Sequence, residues 1–131
     1  DRLSVYNTQI IKAGRWLSSN YPSSSRILTE QYSYIPPDHF ATVREVGSIV
    51  DTSIRRHHPD ILVINSKQSK RYSWKKSGTL FSELQLVKGR HDNADRFFSF
   101  HKWLFGPEST WKVVYEKDEV VILVQKPKPV D

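Results

Sequence analysis

The stretch "PDILVINS", Pro59 to Ser66, constrains the fold more than any other part of the chain. Pro59 and Asp60 punctuate it, and Ile61, Leu62, Val63 and Ile64 then follow without a polar interruption. A strand with one wet face alternates apolar with polar residues. A short run that is apolar at every position must be covered on both faces. The stretch therefore predicts a central strand in a sheet with a further layer on each side.

The flanking patterns supply those layers. Leu3, Tyr6, Ile10, Ala13 and Leu17 recur at steps of three and four, which predicts an amphipathic helix from about Ser4 to Ser19. "SNYPSSS" stops it through Pro22 and a polar cluster. Ile27 and Leu28, with Tyr32 and Tyr34 alternating after them, predict a strand from Arg26 to Gln31. Pro36 and Pro37 cannot continue a hydrogen-bonded ladder and end it. Asp38 then reads as an N-cap, because Phe40, Val43, Gly47, Val50 and Ile54 keep helical spacing toward His57. Gly47 weakens that helix by up to ~1 kcal/mol and is a point where it would break in two.

After Asn65 the chain is less regular. "TLFSELQLVKG" fits no single period. "HDNADRFFSFHKWLFGP" predicts a helix with Asp92 as cap, Asp95 in its first turn and Phe97, Phe98, Trp103, Leu104 and Phe105 on its apolar side. Gly106 and Pro107 terminate it. Trp111 to Tyr115 and Val120 to Gln125 read as a strand pair joined by a polar turn. The expected fold is α/β: one domain over residues 1–131, with a three-layer, Rossmann-like mixed sheet of about four strands. Its centre is parallel, its C-terminal hairpin antiparallel, and helices flank it.

Several chemistries lack their usual anchors. The chain has no Cys, which excludes disulfides and cysteine-based metal or redox sites. Five Gly, none in a G-x-G-x-x-G or P-loop spacing, leave a nucleotide cofactor without its phosphate cradle, so no cofactor is expected. No Ser stands in a G-x-S-x-G elbow. His57, His58 and Asp60 offer metal-binding atoms, but adjacent side chains diverge and no third ligand stands at a useful spacing. A polar turn into the strand is the better reading, and no metal is expected. His91 and Asp95 share a helix face that His101 leaves, which again favours capping and solvation. Glu30 and Asp38 flank the end of the first strand, where open α/β sheets place their sites. A carboxylate pair there suits acid–base work, but an exposed strand-end Glu and a helix cap are the better readings. No catalytic residue is assigned.

The segment after the central strand, "NSKQSKRYSWKK", carries Lys67, Lys70, Arg71, Lys75 and Lys76 with Tyr72 and Trp74 between them. Those five basic residues account for most of the net charge of +6 and leave the rest of the chain at +1. The charge is therefore a local patch. Its chemistry fits an anionic or sugar ligand: cations for a phosphate, and aromatic rings to stack on a sugar or base. A nucleic-acid-binding module using residues 65–76 is the alternative function. The near-neutral remainder argues against nucleic acid as a partner, since such proteins spread basic residues over a face. A solvated loop is the plain rival.

The order of phrases resembles the soluble C-terminal domain of multi-spanning membrane glycosyltransferases of the protein-mannosyltransferase and aminoarabinose-transferase type. "RWLSSNYP" closes an opening helix, and "RILTEQYSYIPP" supplies a short strand with trailing Tyr and Pro. "PDILVINS" with a downstream "RYSW" follows, then "LFGPES" at the end of an aromatic helix, and "WKVVYE" with a return strand. The resemblance implies a non-catalytic, extracytoplasmic accessory domain, tethered to the membrane in a parent that uses a lipid-linked sugar donor. The family's catalytic positions lie in membrane loops with no counterpart here. Its implied partners are the membrane-embedded portion of the parent and, at Lys67 to Lys76, anionic lipid head groups or a polyprenyl-phosphate sugar. A chain that starts at Asp1 without Met fits a domain excised from a longer membrane protein. No apolar run approaches the ~20 residues of a membrane-spanning helix, so the domain itself is expected to be soluble.

Overall fold

The computed structural model describes residues 8–31, 33–65, 95–96, 99–117 and 120–127. Among them the chain forms helix α1 (Thr8–Asn20), strands β1 (Arg26–Glu30) and β2 (Thr42–Val46), helix α2 (Asp51–His57), and strands β3 (Ile61–Asn65), β4 (Trp111–Lys117) and β5 (Val120–Gln125). Residues 95–96 and 99–104 are helical as well and are called α3. The five strands make one mixed sheet in the order β2-β1-β3-β5-β4. β1 runs parallel to both β2 and β3, while β5 is antiparallel to β3 and to β4. The parallel half and the C-terminal hairpin are as the sequence predicts; the sheet has five strands where four were expected.

The extra strand is β2. Helical spacing from Phe40 through Ile54 predicts one interrupted helix, but Thr42–Val46 pairs along the edge of β1 and only Asp51–His57 is helical. Thr42, Val43 and Val46 are β-branched and suit the pleated edge better than a helix interior. Asp38 is correspondingly no helix cap. It sits exposed in a turn with φ 68°, and Phe40 after it is buried under α1. For the residues of the basic segment and of "TLFSELQLVKG", and for Asp92, the expectations concern positions outside the described residues.

All five residues of β3 are buried, as a strand covered on both faces requires. Its side chains divide by parity. Ile61 and Val63 join Ile27, Val120 and Ile122 beneath α1, whose Ile10, Ala13 and Leu17 form the helix side of that core. Leu62 and Ile64 join Leu28, Val121 and Leu123 on the other face, closed by Ile49, Phe100, Leu104 and Trp111. The molecule is thus three layers: α1, the sheet, then α2 with α3.

Both ends of β1 are fastened to β3. At the start, the Arg26 amide donates to Asp60 Oδ2 at 2.8 Å while the Asp60 amide donates to the Arg26 carbonyl at 2.9 Å. The Arg26 guanidinium donates to the carbonyls of His57 and His58. His58 ends α2 in the left-handed region, φ 49°, with its amide bonded to the Ile54 carbonyl. "HHPD" is therefore a clamp that sets the β1–β3 register.

β4 carries one irregularity. Val113 pairs with Leu123 and Tyr115 with Ile122, so Val114 is a residue without a partner in the ladder. Such a bulge turns the strand and changes which face the following side chains take. Val114 and Tyr115, consecutive in sequence, consequently both pack toward the α1 core.

α1 sits close to the 33–35 segment because Gly14 has no side chain. A Cβ there would collide with the Tyr34 carbonyl oxygen and lie 2.7 Å from Tyr34 Cδ2. Replacing Gly14 by Ala gains up to ~1 kcal/mol of helix propensity but forces backbone apart, an overpacking cost of about 1–3 kcal/mol. Gly14→Ala is therefore expected to lower stability in urea unfolding. An unchanged or raised midpoint would show that the contact yields without cost.

Candidate functional site

β1 and β3 are parallel neighbours whose chains leave in opposite directions. From β1 the chain turns out to β2; from β3 it runs on to α3 and β4 at the other edge. Ligands of open α/β folds bind where such connections diverge, beyond the carboxyl ends of the strands. Glu30 and Asn65 are the last residues of β1 and β3 and stand at that point.

The structure fills the point with the chain's own carboxylate. Glu30 is fully buried. Its Oε2 accepts the Ile49 amide at 2.8 Å and its Oε1 the Asn65 amide at 2.9 Å. One side chain thus joins the end of β1, the end of β3 and the turn leading into α2. The Ile49 carbonyl faces the other way, 3.3 Å from His101 Nε2 on α3. A carbonyl only accepts, so Nε2 carries the proton and donates. The Ile49 peptide therefore links a buried acid to a buried base.

Burial sets the protonation of both. It raises the Glu30 carboxyl from 4.5 to about 7, against the lowering effect of the Ile49 and Asn65 amides. It lowers the His101 imidazole from 6.5 to about 4, against the hydrogen bond to Ile49. In each case the charged form is disfavoured by loss of water. Near neutral pH burial keeps His101 uncharged and favours the protonated form of Glu30.

As chemistry, this arrangement is a fastening. Both Glu30 oxygens are engaged by backbone amides and neither meets solvent, so no substrate reaches them. Asp38, its expected companion, is exposed in the turn before β2. Glu30 and Asp38 do not come together as a carboxylate pair, and neither is the exposed strand-end Glu or the helix cap that the sequence favours. Among the described residues no group of three or more His, Cys, Asp or Glu could hold a metal. His57 and His58 serve through their carbonyls, and His101 through its bond to Ile49.

The expected binding residues Lys67, Lys70, Arg71, Tyr72, Trp74, Lys75 and Lys76 lie outside the described residues, as does His91. The chain enters their segment from Asn65, and so from the carboxyl edge of the sheet. A second feature lies at the α2–α3 seam. Asp51 accepts from Arg55 at 3.3 Å and from Arg96 at 3.2 Å. Those partners, Arg96 first, hold its carboxyl below the usual range. Beside it Ser99, Phe100 and Trp103 line an open depression of about 380 Å³.

Sequence reasoning placed Glu30 at the right end of the right strand but read its carboxylate as exposed. A single Glu closing an apolar strand carries no signal that two distant amides converge on it. His101 was read as a solvated helix residue; the signal that could have placed it inside is its position between Phe100 and Leu104, both buried.

Comparison of the chain with protein-family models, with curated proteins and with solved structures finds no match. No helix among the described residues is long and apolar enough to cross a membrane.

The buried pair makes a sign-checked prediction. The raised Glu30 carboxyl favours the folded state below pH 4.5, and that contribution is lost as pH rises through about 7. The lowered His101 imidazole favours it above pH 6.5, and that contribution is lost as pH falls through about 4. The two slopes oppose each other across pH 4.5 to 6.5 and nearly cancel. Glu30→Gln should therefore leave a stability that rises with pH over that range. His101→Gln should leave one that falls, each by roughly 3 kcal/mol in all. Urea unfolding between pH 4 and 7.5 checks this; parallel profiles for the two variants would refute it.

Proposed function

We propose that the chain is a non-catalytic accessory domain of a membrane glycosyltransferase that uses a lipid-linked sugar donor, held on the extracytoplasmic side. The observation that carries the reading is the order of phrases along the elements. "RWLSSNYP" closes α1, "RILTE" is β1 and "PDILVINS" contains β3. "LFGPES" begins at Leu104, the last helical residue of α3, and "WKVVYE" lies in β4, with β5 as its return strand.

In this reading the catalytic groups belong to the membrane-embedded portion. The domain covers that portion and contributes contacts to acceptor, donor phosphate or lipid head group. Lys67, Lys70, Arg71, Lys75 and Lys76 supply the charge, with Tyr72 and Trp74 between them. Near an anionic membrane surface each basic residue contributes about 1 kcal/mol.

Two measurements test it. The reading frame that contains this domain should encode several apolar segments of about 20 residues each upstream; a frame without them removes the proposal. The domain should bind vesicles containing anionic lipid, and replacing all five basic residues by Gln should abolish most of that binding. Equal binding by both forms would end the membrane-contact role while leaving the question of the parent to the reading frame.

A further inference from the structure

An open groove of about 510 Å³ lies between α1 and β4, where Lys117 stands level, across β5, with Asn65 at the carboxyl end of β3. Gln9, Lys12, Trp16, Tyr115 and Lys117 line it. Trp16 and Tyr115 form its wall, their ring centroids 5.0 Å apart and tilted by 43°. Tyr21 meets the far side of Trp16 edge-on at 6.0 Å and steadies it. Lys12 stands one helical turn before Trp16, and Lys117 Nζ sits 6.0 Å from the Tyr115 ring centre. Both lysines are exposed, and among the described residues neither pairs with a carboxylate.

A half-buried aromatic pair at the margin of a core needs no ligand to explain it. The backbone beneath this pair is less ordinary. β4 gives up the ladder pairing of Val114, and the bulge brings Tyr115 onto the α1 side, next to Trp16. Lys117, two residues further along the strand, then shares the Tyr115 face. Without the bulge the alternation would send both to the opposite face. One local irregularity thus assembles the aromatic wall and one of its two cations together.

The lining fits one ligand chemistry. The groove's size falls in the range of roughly 300–1,000 Å³ typical of small-molecule sites, which combine apolar surface with a few placed polar groups. Aromatic faces pack against the C–H face of a sugar ring. The Gln9 amide offers a donor and an acceptor to its hydroxyls. Two exposed ammonium groups without a carboxylate partner among the described residues suit a phosphate, to which Lys binds as a point charge. We propose that the α1–β4 groove binds a glycosyl phosphate, with the sugar against Trp16 and Tyr115 and the phosphate between Lys12 and Lys117. This deepens the accessory-domain reading, and only the choice of a lipid-linked over a free sugar phosphate rests on that reading.

The test uses the full 131-residue chain. Amide and indole ¹H–¹⁵N spectra are recorded with a hexose 1-phosphate, with the same hexose unphosphorylated, with inorganic phosphate, and with neutral vesicles carrying a polyprenyl-phosphate hexose. The hexose 1-phosphate or the loaded vesicles should shift the Trp16 indole and the Tyr115 and Lys117 amides. Free hexose and inorganic phosphate should each bind more weakly. A response to the soluble compound identifies a free ligand, and a response to the vesicles alone a lipid-linked one; either supports the site. Lys12→Gln with Lys117→Gln, both at exposed positions that leave the core intact, should weaken binding by roughly tenfold or more. Trp16→Phe should retain the fold and weaken the sugar's contribution, bringing hexose 1-phosphate toward inorganic phosphate.

The proposal is overturned by no response to either phosphorylated ligand, or by binding unchanged in the double lysine variant. It is equally overturned if inorganic phosphate binds as tightly as the sugar phosphate, which would leave only an anion site. Displacement of the sugar phosphate by a single-stranded oligonucleotide at lower concentration would assign the groove to nucleic acid instead. The upstream reading frame decides the parent protein independently, so that reading and this site can fail separately.

Discussion

A carboxylate removed from water holds the centre of this protein together. Glu30 ends β1, and each of its oxygens takes a backbone amide from a different part of the chain, Asn65 at the end of β3 and Ile49 ahead of α2. Amides at the carboxyl edge of a parallel sheet are left over when the ladder stops, and a buried leftover donor costs free energy unless it finds a partner. In many α/β folds a bound ligand is that partner. Here the protein provides it, and the cost is a carboxyl group held away from solvent. The Ile49 carbonyl then passes the constraint to His101, so α3 is tied to the same point.

With that point closed, the fold's likeness to ligand-binding sheets is one of architecture. Among the described residues, the open features lie elsewhere: the α2–α3 seam around Asp51 and Trp103, and the α1–β4 groove around Trp16 and Tyr115. In this core the buried acid and base act on the chain itself. The same fold can carry many functions, and the chemistry has to be read from sites such as these.

Much of the framework was legible in the sequence, for identifiable reasons. β3 announced itself because burial on both faces leaves no polar residue between Ile61 and Ile64. The hairpin did so because two β-rich runs flank a short charged turn. α1 was legible from its stripe, and Ile10, Ala13 and Leu17 are buried as that stripe requires. β2 was not, because Phe40, Val43 and Val50 happen to fall at helical steps while serving three different structures. The Glu30 fastening was hidden because its partners are amides 19 and 35 residues away, and amides have no letter in the sequence. The Val114 bulge was hidden for the same reason: it is a relation between strands. The basic segment remained a matter of composition throughout, since its residues lie outside those described.

The strand order also bears on how the chain finds its structure. Among the described strands, β4 and β5 follow each other across the shortest connection; β1 and β2 also follow each other and pair, but across a longer one, and β3 pairs with strands farther off in sequence. Local hairpins close in microseconds, whereas distant pairs wait for larger loops to close. The hairpin is therefore expected to form early and to offer β5 as a template on which β3, and through it β1 and β2, later assemble. Pulsed hydrogen exchange during refolding would show this as protection at Leu123 preceding protection at Leu28, and the reverse order would discard it. In that order β3, apolar at every core position, stays without its antiparallel partner until the β4–β5 hairpin stands, so its burial on both faces comes late.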